Sequence, residues 1–172
     1  MKRHLLSGLL CICMLSGNAQ TFHEWQDPEI NAVNRTPMHT HFFAYESTEA
    51  ATEAAKEKSV NYMTLNGIWK FRWVKDSDAR PTDFWKTDFN DKGWDNLAIP
   101  AMWELNGYDV PLYSGIGFDW KLRKGWCKNN PPELPVEDNH VGSYRREITV
   151  PANWRDKNII AHFGSVYSNI YL

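Results

Sequence analysis

The chain is poor in cysteine, in long apolar runs and in surplus positive charge. Of its three cysteines, Cys11 and Cys13 fall within the first residues and only Cys127 lies beyond them. A disulfide framework is therefore excluded for a chain that has lost its leader, and Cys127 reads as a lone structural thiol. The longest apolar run, Leu5 to Leu15, holds about eleven residues, too few to span a bilayer. The 19 basic residues less Lys2 and Arg3 leave 17 against 21 acidic ones. That balance argues against nucleic acid and anionic membrane as partners, because both require a basic face. There is no glycine-rich phosphate loop, no Gly-x-Ser-x-Gly elbow and no internal repeat.

What the chain does have begins with a leader. Lys2, Arg3 and His4 precede the apolar run, and Gly17 and Ala19 are small residues placed for cleavage before Gln20. Residues 1–19 thus read as a signal peptide, and the mature protein is expected to be exported, periplasmic or extracellular. Aromatics are abundant: nine Trp, seven Tyr and eight Phe in 172 residues. Rings bury much area per residue, so a packed β core is feasible at this length, and rings also stack on sugars.

Residues 20–60 read as an extended arm with one short helix. The arm carries Pro28 and Pro37 and no clean period. Ser47 to Lys58 is rich in Ala, Glu and Lys, with Ser47 as N-cap and Lys56 and Lys58 in the last turn. Residues 61–172 read as strands. Asn66-Gly67 is a turn dipeptide. Ile68, Lys70, Arg72 and Val74 alternate with Trp69, Phe71 and Trp73, which gives a half-buried strand with one aromatic face. Further strands are expected over Trp94 to Ile99, Tyr144 to Val150, Asn158 to Phe163 and from Asn169 to Leu172. Short strands joined by turn-rich loops predict an all-β fold, an antiparallel β-sandwich. A strand stopped at Leu172 leaves an open edge, so the expectation is an incomplete domain.

Chemistry is sparse. The acidic residues Glu104, Asp109, Asp119, Glu133, Glu137 and Asp138 form no pattern that specifies a catalytic pair, and no catalytic residue is assigned. His39 and His41 make a His-x-His step that lacks further ligands, so packing on aromatics is expected and no metal is assigned. His140 and His162 stand isolated in sequence. The best functional stretch is Trp103 to Trp120, where Trp103, Tyr108, Tyr113, Phe118 and Trp120 accompany Asn106 and Asp109. Rings with a carboxylate are what a sugar site needs: C–H stacking and a hydroxyl acceptor. The competing reading is that these rings pack the sandwich.

The order of several blocks carries a resemblance. They are Asn34-Arg35, Leu65-Asn66-Gly67-Ile68-Trp69-Lys70-Phe71, Ile99-Pro100-Ala101-Met102-Trp103-Glu104, Gly107-Tyr108-Asp109-Val110-Pro111-Leu112-Tyr113, Gly142-Ser143-Tyr144-Arg145-Arg146 and Phe163-Gly164-Ser165-Val166. From about Phe22 to Leu172 the chain resembles the amino-terminal end of glycoside hydrolase family 2, within it the large bacterial β-galactosidases. The resemblance implies a jelly-roll, galactose-binding-like topology for 61–172. It also implies an immunoglobulin-like domain and a catalytic (β/α)8 barrel beyond Leu172, with Mg2+ and Na+ sites there and no cofactor in this piece. The implied activity is retaining hydrolysis of terminal β-galactosides by an oligomeric parent, with this piece non-catalytic. The implied partner is a β-galactoside-containing carbohydrate; the alternative is a stand-alone carbohydrate-binding module. Weak substrate-binding candidates are Asp109, Tyr113, Gly115 and Trp120. Matching through Tyr113 puts Gly115 where the family's loop Asn touches the galactosyl unit, so only backbone contacts remain there. The lengthened Phe118 to Asn139 segment, with Trp120 and Trp126, is expected to shape the pocket entrance.

Overall fold

A computed structural model of the chain describes residues 24–27, 29–111, 135, 137–167 and 169–172. The leader and Cys127 lie outside these residues.

The organising element is β1, Gly67–Val74. It is the centre of a three-stranded antiparallel sheet of order β2-β1-β3, where β2 is Asp95–Ile99 and β3 is Val141–Arg145. The expected period of two holds on β1, and the ladder shows which face is covered. Trp69 lies opposite Leu97, Phe71 lies between Asp95 and Tyr144, and Trp73 lies opposite Gly142. Cross-strand partners share a face, so the aromatic side of β1 meets Leu97 and Tyr144. Phe71 is 0% exposed and Leu97 3%. The fold is all-β and antiparallel, as expected.

Both ends of β1 are fixed by side chains. Asn66 is followed by Gly67 at φ 132, a conformation open to glycine. Leu65 offers its carbonyl to Trp69 Nε1 at 2.8 Å and to Arg146 at 2.6 Å, and Arg146 also donates to Asn66 O at 2.8 Å. This explains a correction. The third strand was expected over Tyr144 to Val150, but β3 begins at Val141 and ends at Arg145. Arg146 spends its guanidinium on the turn before β1, and residues 146–150 leave the ladder exposed. Gly142 is a ladder residue that lets a neighbouring ring approach.

The long connection from β1 to β2 is tied to the other face of the sheet. Arg145 pairs with Asp91 at 2.6 Å, donates to Lys86 O at 3.0 Å and lies over Phe89. Phe84 and Phe89 pack on Trp94, with centroids 5.8 and 5.6 Å away. Pro100 follows β2, where its missing N–H ends the ladder.

The helix is shorter than expected. α1 covers Thr48–Glu53, capped by Ser47 Oγ accepting from Ala50 N at 3.2 Å. Ala54 then takes φ 54, and Lys56 and Lys58 fall in a separate 3₁₀ turn. No residue of α1 is buried. Without a packed face a helix this short has little to extend it. The arm is held instead by single bonds. Trp154, 8% exposed, donates Nε1 to Val60 O at 2.7 Å, and Ser59 donates to Glu46 at 2.5 Å. The strands expected over 158–163 and 169–172 are not ladder strands: the described residues there are exposed and pair with neither edge of the sheet.

Candidate functional site

The site region grows from the segment that follows β2. Trp103–Asn106 forms a 3₁₀ turn closed by Gly107 at φ 88. Asn106 Nδ2 donates to Met102 O at 2.9 Å and Tyr108 N to Trp103 O at 3.2 Å. This tight turn throws Trp103 and Tyr108 back onto the sheet. Tyr108 meets Phe71 edge-on at 4.8 Å, Tyr144 lies 4.8 Å from the same ring, and Trp103 lies 6.3 Å away. The competing sequence reading therefore holds for Trp103 and Tyr108: they pack the sheet. Gly142 makes this possible. A Cβ there would stand 2.7 Å from the Trp103 ring and 2.8 Å from the Phe71 ring.

Polar groups ring this aromatic layer. Tyr108 donates its hydroxyl to Asp95 Oδ2 at 2.9 Å. Burial, then the hydrogen bond and charge of Asp95, push the Tyr108 hydroxyl pKa up. Burial and the charge of Glu104 push Tyr144 to about 12. Both phenols thus stay protonated across the neutral range, and Tyr108 is the donor to Asp95. The indole Nε1 atoms of Trp73 and Trp103 are buried with no hydrogen-bond partner among the described residues.

Of the predicted substrate-binding residues, Asp109 is placed, and Tyr113, Gly115 and Trp120 lie outside the described residues. The Phe118 to Asn139 segment is likewise described only in its last few residues. Asp109 sits at φ 70, a left-handed conformation that Asp tolerates better than most residues. Its Oδ2 meets His140 Nδ1 at 2.5 Å, with the two side chains only 12% and 9% exposed. The His140 ring stands edge-on to Trp73, 5.1 Å between centroids. His140, isolated in sequence, is thus the residue that sequence reasoning missed. Nothing in its spacing from Asp109 announces the pair; its place directly before β3 is the sole hint. Asp138, one of the loose acids, is pinned as well: Lys75 reaches its Oδ1 at 2.9 Å, and its N–H donates to Asp76 Oδ1 at 2.8 Å.

The His-x-His step behaves as packing. His39 stacks near Phe42 and His41 near His162, at 5.6 and 5.2 Å. Among the described residues no group of three or more His, Cys, Asp or Glu side chains is placed to hold a metal ion. The arrangement is a packed layer of rings on Phe71, edged by the Asp95 carboxylate and the Tyr108 and Tyr144 phenols.

Residues 62–172 match the family model described as the sugar binding domain of glycosyl hydrolases family 2. The chain belongs to that family. Its relatives include a protein named beta-galactosidase from Priestia megaterium, 32% identical over 90% of this chain and 15% of the relative. Another of that name, from Halalkalibacterium halodurans, is 34% identical over 86% of this chain and 14% of the relative. A third, from Psychromonas ingrahamii, is 29% identical over 87% of this chain and 13% of the relative. The chain therefore spans about one seventh of the length of the relatives it matches.

Proposed function

We propose that this chain is the sugar-recognising, non-catalytic domain of an exported β-galactosidase-like enzyme. The observation that carries the reading is the match to a sugar binding domain over 62–172, together with beta-galactosidase relatives that cover most of the chain. In the parent, terminal β-galactosides are hydrolysed with retention. That chemistry uses two carboxyl groups about 5–5.5 Å apart, one a proton donor and one a nucleophile. We assign both to a barrel in the rest of the parent, along with the Mg2+ and Na+ sites. Four of the described carboxylates are engaged otherwise: Asp95 by Tyr108, Asp109 by His140, Asp91 by Arg145 and Asp138 by Lys75.

The finer assignments belong to the same reading. A jelly-roll sandwich built on the β2-β1-β3 sheet supports the stretch that carries Asp109, Tyr113, Gly115 and Trp120, and this stretch faces the galactosyl unit. The leader, residues 1–19, directs export. The parent is a homo-oligomer to which the arm contributes. Titrating the purified chain with methyl β-galactoside, β-mannoside and β-glucuronide, followed by ligand-observed NMR, tests the reading. A response to the galactoside above the other two is expected. No response to any of the three, or a preference for another sugar, overturns it.

A further inference from the structure

We propose that His41 and His162 form a two-ligand site for a divalent transition-metal ion of the zinc type, and that the bound ion clips the arm to the segment around His162. The site uses none of the residues of the sugar reading, so the two stand or fall separately. Three observations carry it. First, the two rings, far apart in sequence, lie 5.2 Å apart between centroids with a tilt of 46°. An imidazole nitrogen binds Zn2+ at about 2.0–2.1 Å, which puts the ion roughly 3.2 Å from each ring centre. At a tetrahedral angle the two ring centres then stand about 5 Å apart. The observed spacing is that of two ligands on one ion. The tilt is neither the parallel nor the edge-on arrangement that rings adopt on their own.

Second, the nitrogens are available. His41 and His162 are exposed, and among the described residues neither makes a hydrogen bond or an ion pair. By contrast, His39 has Nδ1 against Thr40 O at 2.8 Å, and His140 meets Asp109. The χ2 torsion of His is broad and roughly two-fold, so a small turn of each ring brings a nitrogen to the ion. Third, contacts that involve neither histidine hold the two segments side by side. Phe43 packs edge-on to Tyr62 at 6.0 Å, Val60 O accepts from Trp154 Nε1 at 2.7 Å, and Asn61 Oδ1 accepts from Lys157 Nζ at 2.5 Å. The His162 ring lies over Gly164, where a Cβ would stand 3.3 Å from Nε2. The ligands are thus presented on anchored backbone, which lowers the cost of ordering them.

The donor set selects the ion. Imidazole suits Zn2+, Ni2+ and Cu2+, whereas Mg2+ and Ca2+ take oxygen ligands. No third His, Cys, Asp or Glu joins the pair among the described residues, so water completes the shell. A metal that joins distant segments closes a long loop, the case in which such a clip stabilises most.

The test uses the whole chain with Zn2+ alone as probe. Phe42, 72% exposed, follows His41 and offers chymotrypsin a cut in the arm. If only the metal-free state is cleaved, Zn2+ at about ten times its half-saturating concentration slows that cut about tenfold. EDTA is expected to restore the rate, and Mg2+ at the same concentration to leave it unchanged. A peptide substrate reports any action of Zn2+ on the protease itself. His41→Ala and His162→Ala are each expected to abolish the protection. Equilibrium dialysis is expected to show about one equivalent of zinc lost in either variant, and no more in the double variant, because one site is being broken. His39→Ala is expected to keep both. Protection that survives His162→Ala overturns the bridging site and gives the zinc to His39 and His41 within the arm. Equal protection by Mg2+ overturns it as well. So does a double variant that matches the unaltered chain in zinc bound and in cleavage rate.

Discussion

The sheet and the two flanking stretches of this chain use similar residues in different ways. In the sheet, Phe71 and Leu97 are almost fully buried, and three rings close on Phe71 within 6.3 Å. In the arm and in residues 146–172, Met38 is 89% exposed, Phe42 72% and Ile160 69%. Those stretches are held by isolated bonds such as Trp154 to Val60 and Lys157 to Asn61. Apolar content is therefore not what separates the regions. The difference is the ladder, which brings side chains from three distant segments onto one face.

Changes in the sheet should cost more than comparable changes in the flanks. The largest effect is expected for Phe71→Ala, about 3–5 kcal/mol by chemical denaturation, because a fully buried ring is removed from among others. Gly142→Ala comes next, about 1–3 kcal/mol, since its Cβ meets the Trp103 and Phe71 rings below 3.0 Å. In the flanks, Trp154→Phe keeps an aromatic ring there but loses the bond to Val60 and some buried area, and should cost about 1–2 kcal/mol.

A subtler effect in the sheet depends on pH. The Tyr144 phenol is raised from 10.0 to about 12 by burial and Glu104. The unfolded chain gives up this proton first, so it binds fewer protons than the native one as pH rises. The contribution is fully present below pH 10 and is lost as pH rises from 10 toward about 12. Melting temperatures across that range should fall less steeply in Tyr144→Phe. The smallest effect is expected for Lys58→Ala, under about 0.5 kcal/mol, because its pair with Glu53 is mostly exposed at both ends. A Lys58 effect as large as that of Gly142 would erase the contrast between the regions.

The same contrast explains what could be read without coordinates. β1 was legible because its alternation is strict and its turn is Asn-Gly. β2 was legible because Pro100 stops it. The alternation of Tyr144 to Val150 was equally strict, yet only its first two residues pair. The deciding contact is Arg146 with Leu65 and Asn66, eighty residues away in sequence. Residues 158–163 show the same limit from the other side, since an apolar pattern cannot supply a hydrogen-bonding partner. At the site, the rings of Trp103 and Tyr108 were visible as residues, but not their use. A compact turn at Gly107, rather than any periodicity, sends them inward. Asp109 stood out through its motif. His140 did not, because its meaning depends on a fold that joins two loops.

The central claim is recognition without reaction by this domain. The direct measurement is to incubate the purified 172-residue chain with a terminal β-galactoside and follow the anomeric proton by NMR. The account predicts perturbed ligand signals and no galactose released above the uncatalysed rate. Release of galactose that disappears when one of the chain's own carboxylates, such as Glu104→Gln, is neutralised would contradict it.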